Sequence, residues 1–305
     1  MENRRTQRIK TISEFHELRG LPKPEHPLIS VVDYSDVQRP DDISRVNWVL
    51  DFYQISLKRG IGGYVKYGQQ EYDFNEGVMF FISPNQVFRI EVHDKAVVQK
   101  SGWMLLVHPD FLWHTPLGST IRQYDFFDYS VNEALFLSDK EEKTINAIVH
   151  NVKQEYHANV DRFTQNIIVS HIETLLNYSE RFYERQFITR KISNHAILDK
   201  LENVLNRYFI DNVALQGLPT VYFVASQVNM SPNYLSRLLK TLTGQSTQQF
   251  IQDKVIEKAK EMLSTNGLAV NEVAYKLGFE HPQSFTKLFK SKTKLSPTQF
   301  KASFN

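Results

Sequence analysis

Residues 231–250 read SPNYLSRLLKTLTGQSTQQF, and fifty residues later 281–300 read HPQSFTKLFKSKTKLSPTQF. Seven of the twenty aligned positions are identical: Pro232/Pro282, Leu238/Leu288, Lys240/Lys290, Thr243/Thr293, Ser246/Ser296, Gln249/Gln299 and Phe250/Phe300. Chance would give about one, so the stretch is an internal duplication. Upstream, Val224-Ala225 matches Val273-Ala274 with one residue of slippage.

Each copy reads as helix, turn, helix. In the first, Thr220 caps a helix that turns Val221, Val224, Ala225 and Val228 inward. Asn229-Met230 makes the turn, and Ser231 caps a second helix with Pro232 at its first position. Leu235, Leu238, Leu239 and Leu242 form that helix's core stripe. In the second copy Val270, Val273, Ala274 and Leu277 build the first helix, Gly278 supplies the turn and Pro282 opens the next. Phe285, Leu288 and Phe289 face in. Ser246-x-x-Gln249 is a capping box that starts a long connecting helix to about Leu263.

The residues left exposed on the second helix of each copy are Asn233, Ser236, Arg237 and Lys240, then Gln283, Thr286, Lys287 and Lys290. Arg pairs bidentately with guanine, Asn and Gln with adenine, and Lys or Ser with phosphate. Such residues are commonly a solvated basic face. Their duplication at matched positions in a basic segment favours DNA.

The charge distribution agrees. The net charge is only +2. Residues 1–185 carry 21 Lys+Arg against 26 Asp+Glu, whereas 186–305 carry 15 against 8. A basic C-terminal third beside an acidic remainder suggests a polyanion-binding module joined to something else. The 305 residues have room for two domains. Cysteine is absent, which excludes disulfides, thiolate zinc fingers and cysteine nucleophiles. No apolar run is long enough to span a membrane and no secretory signal is seen, so a soluble cytoplasmic protein is expected.

From Leu28 to about Val107 the texture is β. In NWVLDFYQISLK, Val49, Tyr53, Ile55 and Leu57 share a face at period two, VMFFIS reads as a buried strand, VFRIEV alternates and SGWMLLVHP closes the series. Short strands at such spacing indicate an antiparallel barrel or sandwich. The prolines at 22, 24 and 27 make the lead-in an extended arm or strand. From Ser138 the texture turns helical, with Ser138 and Glu141 as a capping box. In the next helix Ile168, Ile172, Leu175 and Phe182 form an apolar stripe. It either packs on the chain's own strands or makes a two-helix dimer seam, and the seam is the reading adopted.

On these residues the segment 218–304 resembles the AraC/XylS family of bacterial transcription regulators. The resemblance lies in VA at 224–225, SPNYLSRLLK at 231–240, TG at 243–244, KAKEML, VAYKLGF at 273–279, SFTKLFK, SP at 296–297 and Phe300. It implies two helix-turn-helix units held by a linker helix, with recognition helices entering successive major-groove segments. Asn233, Ser236 and Arg237 would then read bases in the first unit, and Gln283 and Lys287 in the second, with Thr286 near the backbone. Lys294 stands where the family has glycine, Ala269 where a capping Ser or Thr is common, and Pro282 where many members are polar. Residues 1–185 look like the cupin-type barrel and helical dimerisation segment often attached to this domain.

The expected fold is therefore α+β with two domains. An N-terminal cupin-like antiparallel β-barrel (1–135) carries a helical dimerisation segment (136–190), and an all-α tandem helix-turn-helix domain follows (191–305). The expected function is sequence-specific regulation of transcription as an activator, controlled by a small effector. In the alternative, the barrel docks a protein partner and binds no small molecule. Candidate effector residues are Tyr53, Tyr64, Tyr67, Trp103 and His108. Expected partners are double-stranded promoter DNA, a second copy of the chain and RNA polymerase.

Enzyme chemistry is not expected. His93 and His108 stand apart with no His-x-His pair, His16-Glu17 lacks a second His, and no cofactor or metal is called for. Arg59-Gly60-Ile61-Gly62-Gly63 precedes a strand and reads as a hairpin turn, and no Gly-x-Ser-x-Gly elbow occurs.

Overall fold

A computed structural model of the chain describes residues 6–38, 46–59, 65–67, 70–72, 77–88, 100–130, 133–189, 191–211, 217–265 and 268–303. It divides into two compact units, 1–186 and 187–305.

The first unit is built on ten strands among the described residues: β1 (Thr6–Ile9), β2 (Ile29–Asp33), β3 (Asn47–Leu50), β4 (Tyr53–Arg59), β5 (Val65–Tyr67), β6 (Gln70–Tyr72), β7 (Val78–Ile82), β8 (Val87–Phe88), β9 (Ser101–Val107) and β10 (Leu135–Phe136). The described strands form separate sheets in the orders β1-β3-β8, β10-β7-β4-β9-β2 and β5-β6, and these do not close into a barrel. The chain turns a corner at Asp51-Phe52, so β3 and β4, which alternate as one run in sequence, lie in different sheets. β1 pairs with β3 in parallel, against the antiparallel expectation. Part of VFRIEV, the glycine turn after Arg59, His93 and Tyr64 lie outside the described residues.

The inner face of the five-stranded sheet meets the β1-β3-β8 sheet through Ile82, Met104 and Leu106 packed with Ile9, Trp48, Leu50 and Phe52. The lead-in is not wholly extended. Thr11 Oγ1 accepts from the Glu14 N–H and starts the helix α1 (Ile12–Leu18), whose Ile12 and Phe15 are buried in the same core. Arg19 ends that helix and is buried over the Trp48 ring at 4.8 Å. Its desolvation pulls its pKa down to about 10, opposed by the charge of Tyr34.

Helices cover the outer face. α2 (Pro116–Thr120) follows a 3-10 turn at 109–112. α3 (Asp139–Tyr156) begins at Ser138, whose N–H donates to Glu141 Oε2 at 2.9 Å. α4 (Thr164–Thr189) sets Tyr183 beside Phe81 and donates from Gln186 to the Ala134 carbonyl. Ile168, Ile172, Leu175 and Phe182 are all buried within this one chain. The stripe offered as a dimer seam is thus covered by the protein's own packing, the other reading of its spacing.

The second unit is entirely helical among its described residues: α5 (Lys191–Asp211), α6 (Val221–Gln227), α7 (Pro232–Thr243), α8 (Thr247–Thr265), α9 (Val270–Lys276), α10 (Pro282–Thr293) and α11 (Pro297–Ala302). One core joins them. Leu201 and Leu205 of α5 and Ile251, Val255 and Ala259 of α8 pack with residues of α6, α7, α9 and α10.

Candidate nucleic-acid interface

The duplication is visible bond by bond. Thr220 Oγ1 accepts from the Phe223 N–H at 3.1 Å and starts α6. Its far end closes through Met230 N–H donating to the Ala225 carbonyl at 3.0 Å, across Asn229 at φ 57°. In the second copy Phe279 N–H donates to Ala274 at 3.0 Å across Gly278 at φ 86°. Ser231 Oγ then accepts from the Tyr234 N–H, and Pro232 takes the first position of α7. Pro282 does the same for α10, although His281 makes no side-chain cap. Ala269 cannot cap α9 with its side chain. Glu272 answers from the other end, accepting from the Ala269 N–H at 2.7 Å.

Val224, Ala225, Leu235 and Leu239 are buried, as are their counterparts Val273, Ala274, Phe285 and Phe289. Between the units, Ser246 N–H donates to Gln249 Oε1 at 2.9 Å and opens α8.

These contacts fix which side chains point outward. On α7, Asn233 and Lys240 are exposed and Arg237 is half-buried. On α10, Gln283, Lys287 and Lys290 are exposed. Ser236 and Thr286 are also half-buried, and they behave alike. The Ser236 hydroxyl is bonded at 3.0 Å to that of Thr247, itself 1% exposed, and Thr286 Oγ1 donates back to the Pro282 carbonyl at 3.0 Å. Both hydroxyls are held by the fold, at the edge of the face rather than its centre. One residue escaped the sequence reading. Ser284, on the first turn of α10, is exposed, whereas its counterpart Tyr234 is buried. The repeat alignment hid it, because the aligned residue of the first copy is the aromatic Tyr234.

Of the candidate effector residues whose side chains are described, Tyr53 and His108 lie at one end of the paired strands β4 and β9, and Trp103 lies apart from them at the other. Tyr53 is buried, its ring 5.1 Å from Phe127, and burial pushes its phenol pKa up against the influence of Arg122. His108 Nδ1 accepts from the Asp110 N–H and caps the 109–112 turn. Trp103 lies at the other end of β9, opposite Leu57 in register, and its indole N–H donates to Asn146 of α3. Tyr67 pairs with Gln70 through the backbone of β5 and β6. Tyr64 lies outside the described residues.

Two matched helix-turn-helix units on one core, each presenting a basic second helix, define a DNA-binding domain of the tandem helix-turn-helix class. Comparison with known proteins agrees. Residues 224–303 match the family model described as a helix-turn-helix domain. The chain is 32% identical over 136 residues to the Bacillus subtilis protein named uncharacterized HTH-type transcriptional regulator YfiF, covering 45% of this chain and 40% of that one, so it spans well under two thirds of that relative. It is 25% identical over 269 residues to the Escherichia coli arabinose operon regulatory protein, covering 84% of this chain and 86% of that one. Among solved structures, the C-terminal domain of AraT, a response regulator from Geobacillus stearothermophilus, is 29% identical with a TM-score of 0.30, covering 34% of this chain and 84% of that domain. The C-terminal part of this chain therefore carries a helix-turn-helix domain of the AraC type.

Proposed function

We propose that the protein is a sequence-specific activator of transcription that binds promoter DNA through α7 and α10. Lys240 and Lys290 contact phosphates and supply affinity. Arg237, Asn233, Gln283 and Lys287 read base edges, with Ser236 and Thr286 at the margin of the face. The observation that carries this reading is the pair of turns closed by the same hydrogen bond, Met230 N–H to Ala225 and Phe279 N–H to Ala274, each leading into a helix that opens on proline. RNA polymerase as partner and a homodimer belong to the same reading. Both rest on the family resemblance, and the dimer does not use the buried Ile168, Ile172, Leu175 or Phe182. The N-terminal unit senses a small effector.

The test is binding to the gene's own upstream DNA, and to fragments selected from the genome, as a function of salt. Sequence preference with a steep salt slope is expected, and Arg237→Ala loses about 1–3 kcal/mol of base discrimination. Lys287→Ala reports whether the second unit reads sequence as well. If selection from the genome recovers no preferred fragment, the reading is wrong.

A further inference from the structure

α3 lies along the outer face of the five-stranded sheet. Between them runs a cleft of about 410 Å³ lined by Leu57 and Arg59 of β4, Trp103 of β9, and Glu142, Asn146 and Lys153 of α3. That is the size of a site for a small organic molecule.

Its inner wall is a fixed polar relay. The Trp103 indole N–H donates to Asn146 Oδ1 at 2.8 Å, and the Asn146 amide donates to Glu142 Oε1 at 3.3 Å. Arg59 donates from Nε and Nη2 to Glu142 Oε2 at 3.2 and 2.6 Å. Glu142 is nearly buried, and the backbone makes room for it, because a Cβ on Gly77 would stand 2.3 Å from Glu142 Oε2. The carboxylate raises the Arg59 pKa through that hydrogen bond. Within the relay the two charges cancel, and the indole is held in one orientation.

Beyond the relay the lining brings one ammonium, that of Lys153, and one carboxylate, that of Asp33. Glu142, Asn146, His150 and Lys153 share one face of α3 by helical spacing. Neither the His150 nor the Lys153 side chain has a hydrogen-bond or ion-pair partner among the described residues. Asp33 is exposed and keeps its charge, with its Oδ1 taken up by the N–H and hydroxyl of Ser35, whereas Lys153 has no such partner. An aliphatic floor, an indole wall and an unpaired ammonium together suit an anion with an apolar body.

We propose that this cleft binds a small organic monocarboxylate, with its carboxylate on Lys153 and its apolar part against Trp103. The proposal rests on the reading that the N-terminal unit senses an effector, and gives that effector a place and a charge.

Full-length protein labelled with 5-fluorotryptophan gives fluorine resonances for Trp48, Trp103 and Trp113, assigned with Trp103→Phe and Trp113→Phe. The probes are 3-phenylpropionate, hexanoate and the neutral 3-phenylpropionamide. Both carboxylates are expected to move the Trp103 resonance alone, with the amide about tenfold weaker than its acid. Lys153→Gln removes the difference between acid and amide and leaves the melting temperature unchanged. A Trp103 signal that neither carboxylate moves, an amide that binds as well as its acid, or an acid affinity unaltered by Lys153→Gln overturns the proposal. DNA binding read in the same samples separates the two ideas. A silent Trp103 with intact DNA preference sinks the cleft alone, and a responding Trp103 with no DNA preference sinks the regulator reading alone.

Discussion

Asp253 Oδ1 of α8 stands 2.7 Å from Lys292 Nζ of α10, and Asp253 Oδ2 accepts from Gln245 Nε2 at 2.9 Å. One carboxylate on the connecting helix therefore ties the turn that ends α7 to the last turn of α10. The pair is partly open to solvent, with side-chain exposures of 35% and 27%, so a double-mutant cycle of Asp253→Asn with Lys292→Gln should give only about 0.2–1 kcal/mol of coupling in unfolding. Its larger effect is on geometry. Asp253→Asn should lose discrimination between a preferred DNA site and the same site with two base pairs inserted at its centre, measured by fluorescence anisotropy. Unchanged discrimination means that the apolar core alone sets the spacing of the two helices.

Three positions with positive φ should respond differently to substitution. Gly278 holds φ 86°, and a Cβ there would lie 2.5 Å from the Gly217 carbonyl carbon, which is backbone and cannot move aside. Gly278→Ala should cost about 3 kcal/mol or more, left-handed strain adding to overlap. Gly244 at φ 74° has nothing within 4 Å of an added Cβ, so Gly244→Ala should cost only about 1–2 kcal/mol. Lys294, the counterpart of Gly244, sits at φ 66° and already bears that strain. Lys294→Gly should therefore stabilise the protein by about 1 kcal/mol. Urea unfolding of the three variants checks the order.

Lys240 and Lys290 occupy identical places in the two copies, both exposed one turn before the helix end. If each meets a phosphate, replacing either with Gln reduces the slope of log affinity against log salt by about 0.9 and leaves sequence preference alone. A changed preference would move that residue to the base-reading set.

How far the sequence reveals this molecule depends on how many local signals agree at each place. In the C-terminal unit, cap, proline, turn residue and apolar spacing all indicate the same helices, and the duplication states each signal twice. The caps at Thr220, Ser231, Ser246 and Ser138 are found where the sequence puts them. In the N-terminal unit the signals conflict. β4 is buried on both faces, including Gln54 and Ser56, so its alternation does not report which face meets which layer. Nothing local in Thr6–Ile9 announces a parallel partner forty residues away, because pairing is a property of the fold and not of the strand. The stripe on α4 is equally silent about its partner, since one apolar face serves a sheet or a second helix. Trp103 is legible as a strand aromatic, but the cleft it lines also takes five residues of α3, and nothing local in that helix announces a binding wall.

Ser56 sits at the centre of β4, in register with Phe80 and Met104, and is 0% exposed. Its hydroxyl has no hydrogen-bond partner among the described residues. A buried unsatisfied hydroxyl costs about 1–3 kcal/mol, and removing it leaves only a small void. Ser56→Ala should raise the stability by about 1 kcal/mol in thermal unfolding. A loss of similar size would show that the hydroxyl is bonded in solution.

His16 should make the first unit acid-sensitive. The ring is buried. Its Nδ1–H donates to the Pro22 carbonyl and its Nε2 accepts from the Ser30 hydroxyl at 2.9 Å, a pattern that only the neutral ring completes. Burial lowers its pKa below the ordinary 6.5, with the Pro22 bond opposing in part. A depressed folded value means that the unfolded chain takes up the proton first. The stability contributed is complete above about 6.5 and is lost as pH falls from there through the folded value. His26 shifts in the same direction through its own burial, so the variant must isolate one ring. The melting temperature of the full chain should fall between pH 7.5 and 5, and His16→Gln, which keeps a donor and an acceptor without a titrating group, should fall less steeply over that range. Parallel curves for the two proteins would place the acid sensitivity elsewhere.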